Sequence, residues 1–372
     1  MKFIDLEEQQ KILKKDLDKN IQTVLDHGQY IMGPEVFELE KKLGQYVGVK
    51  NCISCASGTD ALLMVLMSLG IGKGDAVLTS PFTYIATAEV IQLLNATPVF
   101  IDINETTYNL EPEGIEDAFK YAIQLGLKPK AIIPVDLFGL PARYRIIKKL
   151  AAHFKLLVIE DGAQSFGSEI KGKKSCSFGD ISTTSFFPAK PLGCYGDGGA
   201  IFTNDDALAA ILRSIRNHGS GLDKYDNVRV GINGRLDTIQ ASILLSKLSI
   251  FDDELRKRNI IASKYKNQLK SAIITPYIPK NYTSSWAQYS ILLPDTINRD
   301  ELIISLKKEN IPSAVYYRTP LHLQKVFNNL GLKRGSFPIT EKISDKILSI
   351  PMSPYLTDND QDKVLTTINK LF

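Results

Sequence analysis

Lys190 is a candidate nucleophile, because it lies in an apolar, glycine-rich segment, TSFFPAKPLGCYGDGGAI (184–201). A lysine that is partly removed from water has a lowered pKa, and its neutral amine can attack a carbonyl carbon. The glycines that follow Lys190 allow the backbone to approach a flat ligand closely. The alternative is a surface lysine whose stem covers apolar neighbours beside turn glycines. The residues alone favour neither interpretation.

A carboxylate and an amide follow a second hydrophobic run, in VIEDGAQSFG (158–167). Asp161 ends this run, so its carboxylate is placed at the edge of the core, where it needs a cationic or hydrogen-bonding partner. Gln164 can add a neutral hydrogen bond on the same side. The alternative is that Asp161 caps the N-terminus of a helix.

A third segment, SGTDAL (57–62), lies between a predicted strand and a predicted helix. Ser57, Gly58 and Thr59 would lie at the helix N-terminus, where free N–H groups and the helix dipole suit a phosphate. The alternative is ordinary N-capping by Ser or Thr. The segment is not a Walker loop, since the GxxxxGK[ST] pattern is missing.

The three segments together predict one ligand that has a phosphate, a ring nitrogen cation for Asp161 and an aldehyde for Lys190. Pyridoxal 5′-phosphate combines these features. A metal site is not predicted, because the four histidines are scattered. Cys52 and Cys55 form a CxxC without a matching second pair, and we interpret them as small buried residues of a strand rather than as a redox pair or half a zinc site.

The elements that must position these residues alternate between apolar runs and helical patterns. This alternation predicts a mainly parallel sheet with helices on both faces. Strands are predicted at 51–56, 75–80, 97–103, 130–139, 156–161, 179–187, 198–204, 287–293 and 312–317. Helices are predicted at 6–26, 33–48, 57–70, 84–95, 111–126, 142–154, 207–219, 236–269, 299–310 and 358–372. We expect a large domain at 1–250 and a small α+β domain at 251–372.

Composition bounds the class of protein. The 372 residues are 44% hydrophobic and 23% charged with a net charge of +4, which is typical of globular proteins and argues against a nucleic-acid binder. The apolar runs are too short for a membrane span, and the early charged residues do not fit a signal peptide. Four sparse cysteines favour a reducing cytoplasm.

Beyond these segments, motifs along essentially the whole chain resemble the DegT/DnrJ/StrS family of nucleotide-sugar aminotransferases. They include GQYIMGPEVFELE, PFTYIATAE, VGINGRLDTIQASIL and PSAVYYRTPLH. The resemblance implies an α/β fold, that of the fold-type I pyridoxal phosphate transferases, with a seven-stranded type of sheet. It also implies a homodimer with shared active sites.

The resemblance assigns roles to individual residues. It implies that Lys190 forms the internal aldimine and moves protons, that Asp161 pairs with the pyridine nitrogen, that Gln164 faces the 3-oxygen and that Tyr84 stacks on the ring. The phosphate cradle would contain Gly58, Thr59, the backbone of Asp60, Ser185, and Asn233 of the neighbouring subunit. Sugar-nucleotide contacts are expected at Arg235, Tyr316, Tyr317 and His322.

The substrate implied by the resemblance is UDP-2-acetamido-2-deoxy-3-oxo-glucuronate, aminated with glutamate for bacterial surface polysaccharide such as lipopolysaccharide O-antigen. The cofactor would alternate with its pyridoxamine phosphate form. Asp136 and Tyr316 stand where many members have histidine, and we expect both to line the sugar pocket. The alternatives are a 3-keto- or 4-keto-6-deoxy sugar on dTDP or UDP, and a non-catalytic regulatory protein. A dehydratase is disfavoured, because that branch has histidine in place of Lys190.

Overall fold

A computed structural model describes residues 1–223 and 225–370, and a mostly parallel sheet forms its centre. The seven strands of this sheet are β1 Asn51–Cys55, β2 Asp75–Thr79, β3 Thr97–Phe100, β4 Lys128–Ile133, β5 Leu157–Asp161, β8 Ile181–Ser185 and β9 Gly199–Thr203. Their spatial order is β1, β9, β8, β5, β4, β2 and β3. Every neighbouring pair from β8 to β3 is parallel, whereas β9 runs antiparallel to both β1 and β8.

Two small antiparallel pairs accompany this sheet: β6 with β7, and β10 with β11. Their bounds are β6 Glu169–Ile170, β7 Lys173–Lys174, β10 Tyr289–Leu292 and β11 Ile347–Ile350. The helices are α1 Leu6–His27, α2 Pro34–Val47, α3 Gly58–Ser68, α4 Ala86–Leu93, α5 Ile115–Gln124, α6 Tyr144–His153, α7 Asp206–Arg216, α8 Thr238–Leu248, α9 Phe251–Gln268, α10 Arg299–Lys308, α11 Pro338–Lys346 and α12 Asp358–Asn369.

The predicted alternation of strands and helices between residues 51 and 204 is confirmed, and the fold is α/β as expected. Aliphatic side chains from the strands pack against α3 and α7 on one face of the sheet, with Ile53, Val65 and Leu212 fully buried. Parallel strands must be covered on both faces, because they present apolar side chains to both. A second buried layer, which includes Leu78 and Ile147, covers the opposite face.

Two predicted elements differ from the structure. The single helix predicted over 236–269 is two helices, α8 and α9, and the second begins with the acidic run Asp252, Asp253 and Glu254, which suits a helix N-terminus. The strand predicted at 312–317 is wrong: only Ala314 forms a bridge, to Ser349, and the chain then turns. Pro312 has no N–H for a ladder. The last two residues of the predicted closing helix lie outside the described residues.

A separate hydrophobic cluster lies in the C-terminal part of the chain. Tyr265, Ile291 and Leu348 belong to it and are essentially buried. This separation supports a domain boundary near residue 250, which we propose as the division of the chain. The first residues of the chain are an exception to this division, because they contact the C-terminal part. Met1 packs against the C-terminal cluster, and the N–H of Met352 donates to the carbonyl of Phe3 at 3.3 Å.

The cysteine pair of the CxxC segment is buried in β1, and all four cysteines are free thiols. Burial raises the pKa of the Cys55 thiol, so it has the character of a packing residue. Over residues 1–223 and 225–370, no group of three or more His, Cys, Asp or Glu side chains could hold a metal ion. Within those same ranges, no helix has the length and apolar character to cross a bilayer.

Candidate active site

The three predicted segments meet at one edge of the main sheet. Strand β5 ends at Asp161, strand β8 ends at Ser185, and helix α3 begins at Gly58 directly after β1. The carboxyl ends of parallel strands lie on the same side of a sheet, which is where open α/β sheets bind their ligands. The fold therefore brings the carboxylate, the glycine-rich turn and the helix N-terminus together.

Asp161 is a buried carboxylate that is held by two hydrogen bonds. Its Oδ2 accepts from Thr87 Oγ1 at 2.8 Å, and its Oδ1 accepts from the N–H of Ala163 at 3.2 Å. Burial raises the pKa of Asp161, and the two hydrogen bonds and the nearby Lys190 ammonium act in the opposite direction. The residues after Asp161 form turns rather than a helix, so the alternative of a helix N-cap is wrong.

Lys190 lies in a turn, near enough to Asp161 for the two charges to interact. Its backbone N–H donates to the carbonyl of Phe187 at 2.8 Å. Burial lowers the pKa of the Lys190 amine, and the Asp161 carboxylate partly offsets that effect. The sequence predicts a partly desolvated lysine here, and its role as a nucleophile stays a prediction. Such an amine is closer to its nucleophilic neutral form than an exposed lysine is.

The N-terminus of α3 offers two free backbone donors. Ser57 caps the helix, since its Oγ accepts from the N–H of Asp60 at 3.0 Å. Within the described ranges, the N–H groups of Gly58 and Thr59 donate to no protein atom. A Cβ at Gly58 would lie 2.6 Å from the Cβ of Ser185. Only glycine at position 58 therefore allows the end of β8, with the Ser185 hydroxyl, to lie this close to the N-terminus of α3. N-capping by Ser57 therefore engages the Asp60 N–H and leaves two N–H donors that an anion could use.

Gln164 and Tyr317 are joined across the site. The Nε2 of Gln164 donates to the hydroxyl of Tyr317 at 3.1 Å, and its Oε1 accepts from the N–H of Phe138 at 2.6 Å. The Tyr317 ring meets Phe82 edge-on, and burial raises the pKa of its phenol. Tyr84 stands on the chain between Phe82 and Thr87, and its side chain is 57% exposed, available to a flat ligand.

Two further predicted residues lie together on the segment between α7 and α8. Asn233 is exposed and forms a backbone bridge with Asn217. The Nη1 of Arg235 donates to Asn217 Oδ1 at 2.8 Å, whereas its buried Nε has no hydrogen-bond partner among the described residues. The neighbouring Gly234 carbonyl accepts from the N–H of Ala56, so this segment lies next to the end of β1.

His322 is buried among its own neighbours. Its Nε2 lies 2.9 Å from Glu341 Oε1, and its ring meets Phe337 edge-on. Its expected contact with a sugar nucleotide stays a prediction. Tyr316 is half-buried and packs edge-on against Phe3.

The expectation that Asp136 lines a sugar pocket is wrong. Asp136 is fully buried and accepts hydrogen bonds from Tyr144 Oη, Ser165 Oγ and the N–H of Ala142 at 2.7–2.8 Å. Burial and the charge of Glu160 raise its pKa well above the usual value. Through its hydrogen bond with Ser165, Asp136 stabilises the turn that follows Asp161.

Sequence reasoning did not identify Thr87. The residue lies in PFTYIATAE, three positions after Tyr84, and it belongs to the first turn of α4, whereas Tyr84 precedes that helix. In the helix predicted over 84–95, an i, i+3 spacing would put both side chains on one face. The spacing is the signal that could have revealed the hydroxyl, given that Tyr84 was already a candidate.

The residues present fit pyridoxal phosphate on structural grounds alone. The two free N–H groups of α3 and the Ser185 hydroxyl suit the phosphate. The buried Asp161 suits the cationic ring nitrogen, and the Lys190 amine suits the aldehyde. The exposed ring of Tyr84 offers a stacking surface. The arrangement can thus hold a flat phosphorylated aldehyde and move protons at its reactive carbon.

Comparison with known proteins agrees with this chemistry. Residues 11–369 match the DegT/DnrJ/EryC1/StrS aminotransferase family. The chain is 49% identical over 357 residues to UDP-2-acetamido-2-deoxy-3-oxo-D-glucuronate aminotransferase of Pseudomonas aeruginosa, covering 96% of each chain. A DegT/DnrJ/EryC1/StrS aminotransferase from Brucella abortus has 50% identity and a TM-score of 0.97, with 100% of this chain and 99% of that chain covered. DesV of S. venezuelae, solved in complex with a ketimine intermediate, has 32% identity and a TM-score of 0.94, with 100% and 98% covered.

Proposed function

The chain belongs to the DegT/DnrJ/EryC1/StrS aminotransferase family, and from this premise we propose that it transfers an amino group from glutamate to UDP-2-acetamido-2-deoxy-3-oxo-glucuronate. It is an aminotransferase of nucleotide sugars, and pyridoxal phosphate is its cofactor. The observation that supports the catalytic assignment most is that the buried Asp161 is held by Thr87 and is near enough to Lys190 for their charges to interact, at the same end of the sheet as the free N–H groups of α3.

The proposed roles follow from the positions of the side chains. When bound, pyridoxal phosphate supplies an aldehyde that accepts the amino group of the donor, a ring that withdraws electrons, and a pyridoxamine form that returns the amine to a ketone. Lys190 would hold this group covalently in the resting protein, and its Nζ, once freed, would take up and return the proton of the reacting carbon. Asp161 would pair with the ring nitrogen and keep it protonated, and the hydrogen bond from Thr87 orientates its carboxylate and favours the ionised form.

The remaining residues of the cofactor site bind and orientate. The free N–H groups of Gly58 and Thr59 and the hydroxyl of Ser185 bind the phosphate, while Asp60 closes the cap through Ser57. Tyr84 covers one face of the ring. Gln164 would face the 3-oxygen, and its hydrogen bond to Tyr317 would connect the cofactor with the proposed sugar site.

The proposed functional unit is a homodimer, in which Asn233 and Arg235 of one subunit complete the site of the other. In support of this unit, large apolar side chains are exposed around the site and on the segment before Asn233. Examples are Phe187 at 52%, Val230 at 83% and Leu222 at 108% exposure. We propose a cytoplasmic location, which the four free thiols support.

The UDP-linked 3-keto uronate is favoured over other keto-sugars by the 49% identity to the P. aeruginosa enzyme over nearly the full length of both chains. The product would enter the biosynthesis of surface polysaccharide. A 3-keto- or 4-keto-6-deoxy sugar on dTDP or UDP is the second candidate. A regulatory protein is the third, and it does not need the complete set of Lys190, Asp161 and Gln164.

A panel of nucleotide keto-sugars, incubated with glutamate and read by mass spectrometry, tests the proposal. The expected result is a mass change of one ketone oxygen replaced by an amine, with 2-oxoglutarate formed in equal amount and the UDP 3-keto uronate converted fastest. Lys190→Ala should abolish the conversion. Faster conversion of a 6-deoxy sugar would overturn the substrate, and no conversion of any sugar by the cofactor-loaded protein would favour the regulatory role.

A further inference from the structure

Lys247 is a buried lysine on α8 whose ammonium points into the segment that follows Lys190. Its side chain is 1% exposed, its Nζ donates to the carbonyl of Gly193 at 2.7 Å, and the same Nζ lies 4.1 Å from the centroid of the Tyr195 ring. Burial lowers the pKa of Lys247 to about 8. Among the described residues no carboxylate forms an ion pair with Lys247, although the charge of Glu254 partly offsets its burial. Burying such a lysine costs free energy, so the contacts it makes require an explanation.

The carbonyl that Lys247 holds belongs to a tightly closed turn. A Cβ at Gly193 would lie 2.5 Å from the carbonyl oxygen of Pro188, so the two ends of the turn touch at this point. The N–H of Lys190 donates to the carbonyl of Phe187, and the N–H of Cys194 donates to the carbonyl of Phe186, both at 2.8 Å. Because these contacts close the turn at both ends, we expect a shift of Gly193 to displace Lys190.

A second residue of α8 holds the same turn. The Oε1 of Gln240 accepts from the N–H of Tyr195 at 2.8 Å, and its Nε2 donates to the carbonyl of Tyr195 at 3.4 Å. Residues seven apart lie on one face of a helix. Gln240 and Lys247 therefore form two contacts from a single rigid element to the residues that close the Lys190 turn.

We propose that Lys247, together with Gln240, is a positioning residue that fixes the turn from Phe187 to Tyr195 and so keeps the Lys190 amine beside Asp161. The inference rests on the proposed role of Lys190. Lys247 acts through the backbone, because its Nζ holds the carbonyl of Gly193 in the same turn. A catalytic lysine has to lie within a fraction of an ångström of its working place, and a displacement of about 1 Å can cost about 100-fold in rate.

The test compares Lys247→Met and Gln240→Leu with the wild type, each loaded with pyridoxal phosphate. We expect a weaker visible absorbance band of the lysine-bound cofactor, a changed pH midpoint of that band, and a kcat lower by about 10- to 100-fold with a nearly unchanged sugar KM. The fold reduction of kcat in the double variant should be smaller than the product of the fold reductions in the two single variants, because both contacts support one turn.

Ser246→Ala is the matched control. Ser246 is buried on the same helix but contacts Asn20 of α1, so its loss should affect stability and leave the absorbance band unchanged. Wild-type absorbance and pH midpoint in Lys247→Met would overturn the proposal. If that variant does not fold, Gln240→Leu decides by the same readouts. A wild-type protein without the band would contradict the proposed function instead.

Discussion

Thr87 donates a 2.8 Å hydrogen bond to the Oδ2 of Asp161 at the buried end of strand β5. The bond joins the first turn of α4 to the carboxylate that we assign to the cofactor ring. It favours the ionised form of Asp161, against the burial that disfavours it. The state of the proposed ring partner therefore depends on a hydroxyl from another element.

Thr87→Val should raise the pKa of Asp161, because the hydroxyl donor is lost while burial remains. The acidic limb of the activity profile should move to higher pH, since a larger fraction of Asp161 is then protonated at a given pH. A hydrogen bond to a charged group contributes about 1.5–3 kcal/mol, so kcat/KM should fall about 10- to 100-fold. The control is Thr79→Val, which removes a buried hydroxyl that donates to Ile133. Equal profiles for both variants would contradict the role of Thr87.

Gly58→Ala should weaken the binding of pyridoxal phosphate about 10-fold, because the new Cβ would meet the Cβ of Ser185 at 2.6 Å and push β8 away from the helix N-terminus. Equilibrium dialysis or fluorescence titration of the cofactor measures the change. Gly72→Ala is the control, since the nearest atom to its added Cβ is 3.8 Å away. Wild-type cofactor affinity in Gly58→Ala would rule out the close packing as a requirement of the cradle.

Asp136→Asn should flatten the pH dependence of stability. Burial raises the folded-state pKa of Asp136 above its unfolded value, so its stabilising contribution is complete below the unfolded pKa of about 4 and is lost as the pH rises towards the folded value. The amide does not titrate. The free energy of unfolding, measured by urea at several pH values from about 4 to about 7, should fall less in the variant than in the wild type. Parallel curves would show that Asp136 stays ionised.

Much of the fold follows from the sequence, because apolar strands and amphipathic helices alternate with clear turn signals. The same local signals placed Lys190, Asp161 and Gly58 at the ends of elements, which led to the site. What failed was non-local: Asp136 follows a strand like the site residues, but its side chain turns towards Tyr144 and Ser165. No local signal in the sequence distinguishes Lys247 from other helix residues, since only the packed structure brings α8 against the turn at Gly193.

Glu40→Gln should destabilise the fold strongly. Glu40 and Arg216 form a buried ion pair with a 2.5 Å contact, and the Glu40 carboxylate also accepts from the N–H and hydroxyl of Ser54 in β1. Removing one member of a buried pair costs about 3–5 kcal/mol. Glu38→Gln is the control, because its exposed pair with Lys42 contributes about 0.5 kcal/mol or less. Similar melting temperatures for both variants would contradict the prediction.

Borohydride reduction of the pyridoxal phosphate-loaded protein, followed by peptide mapping with mass spectrometry, tests the central claim most directly. Reduction makes the bond between the cofactor and its lysine permanent, so the modified residue can be identified. We predict a single pyridoxyl group on the peptide that contains Lys190, and none on Lys247 or in the Lys190→Ala protein. Labelling of a different lysine, or labelling that persists in Lys190→Ala, would contradict the account.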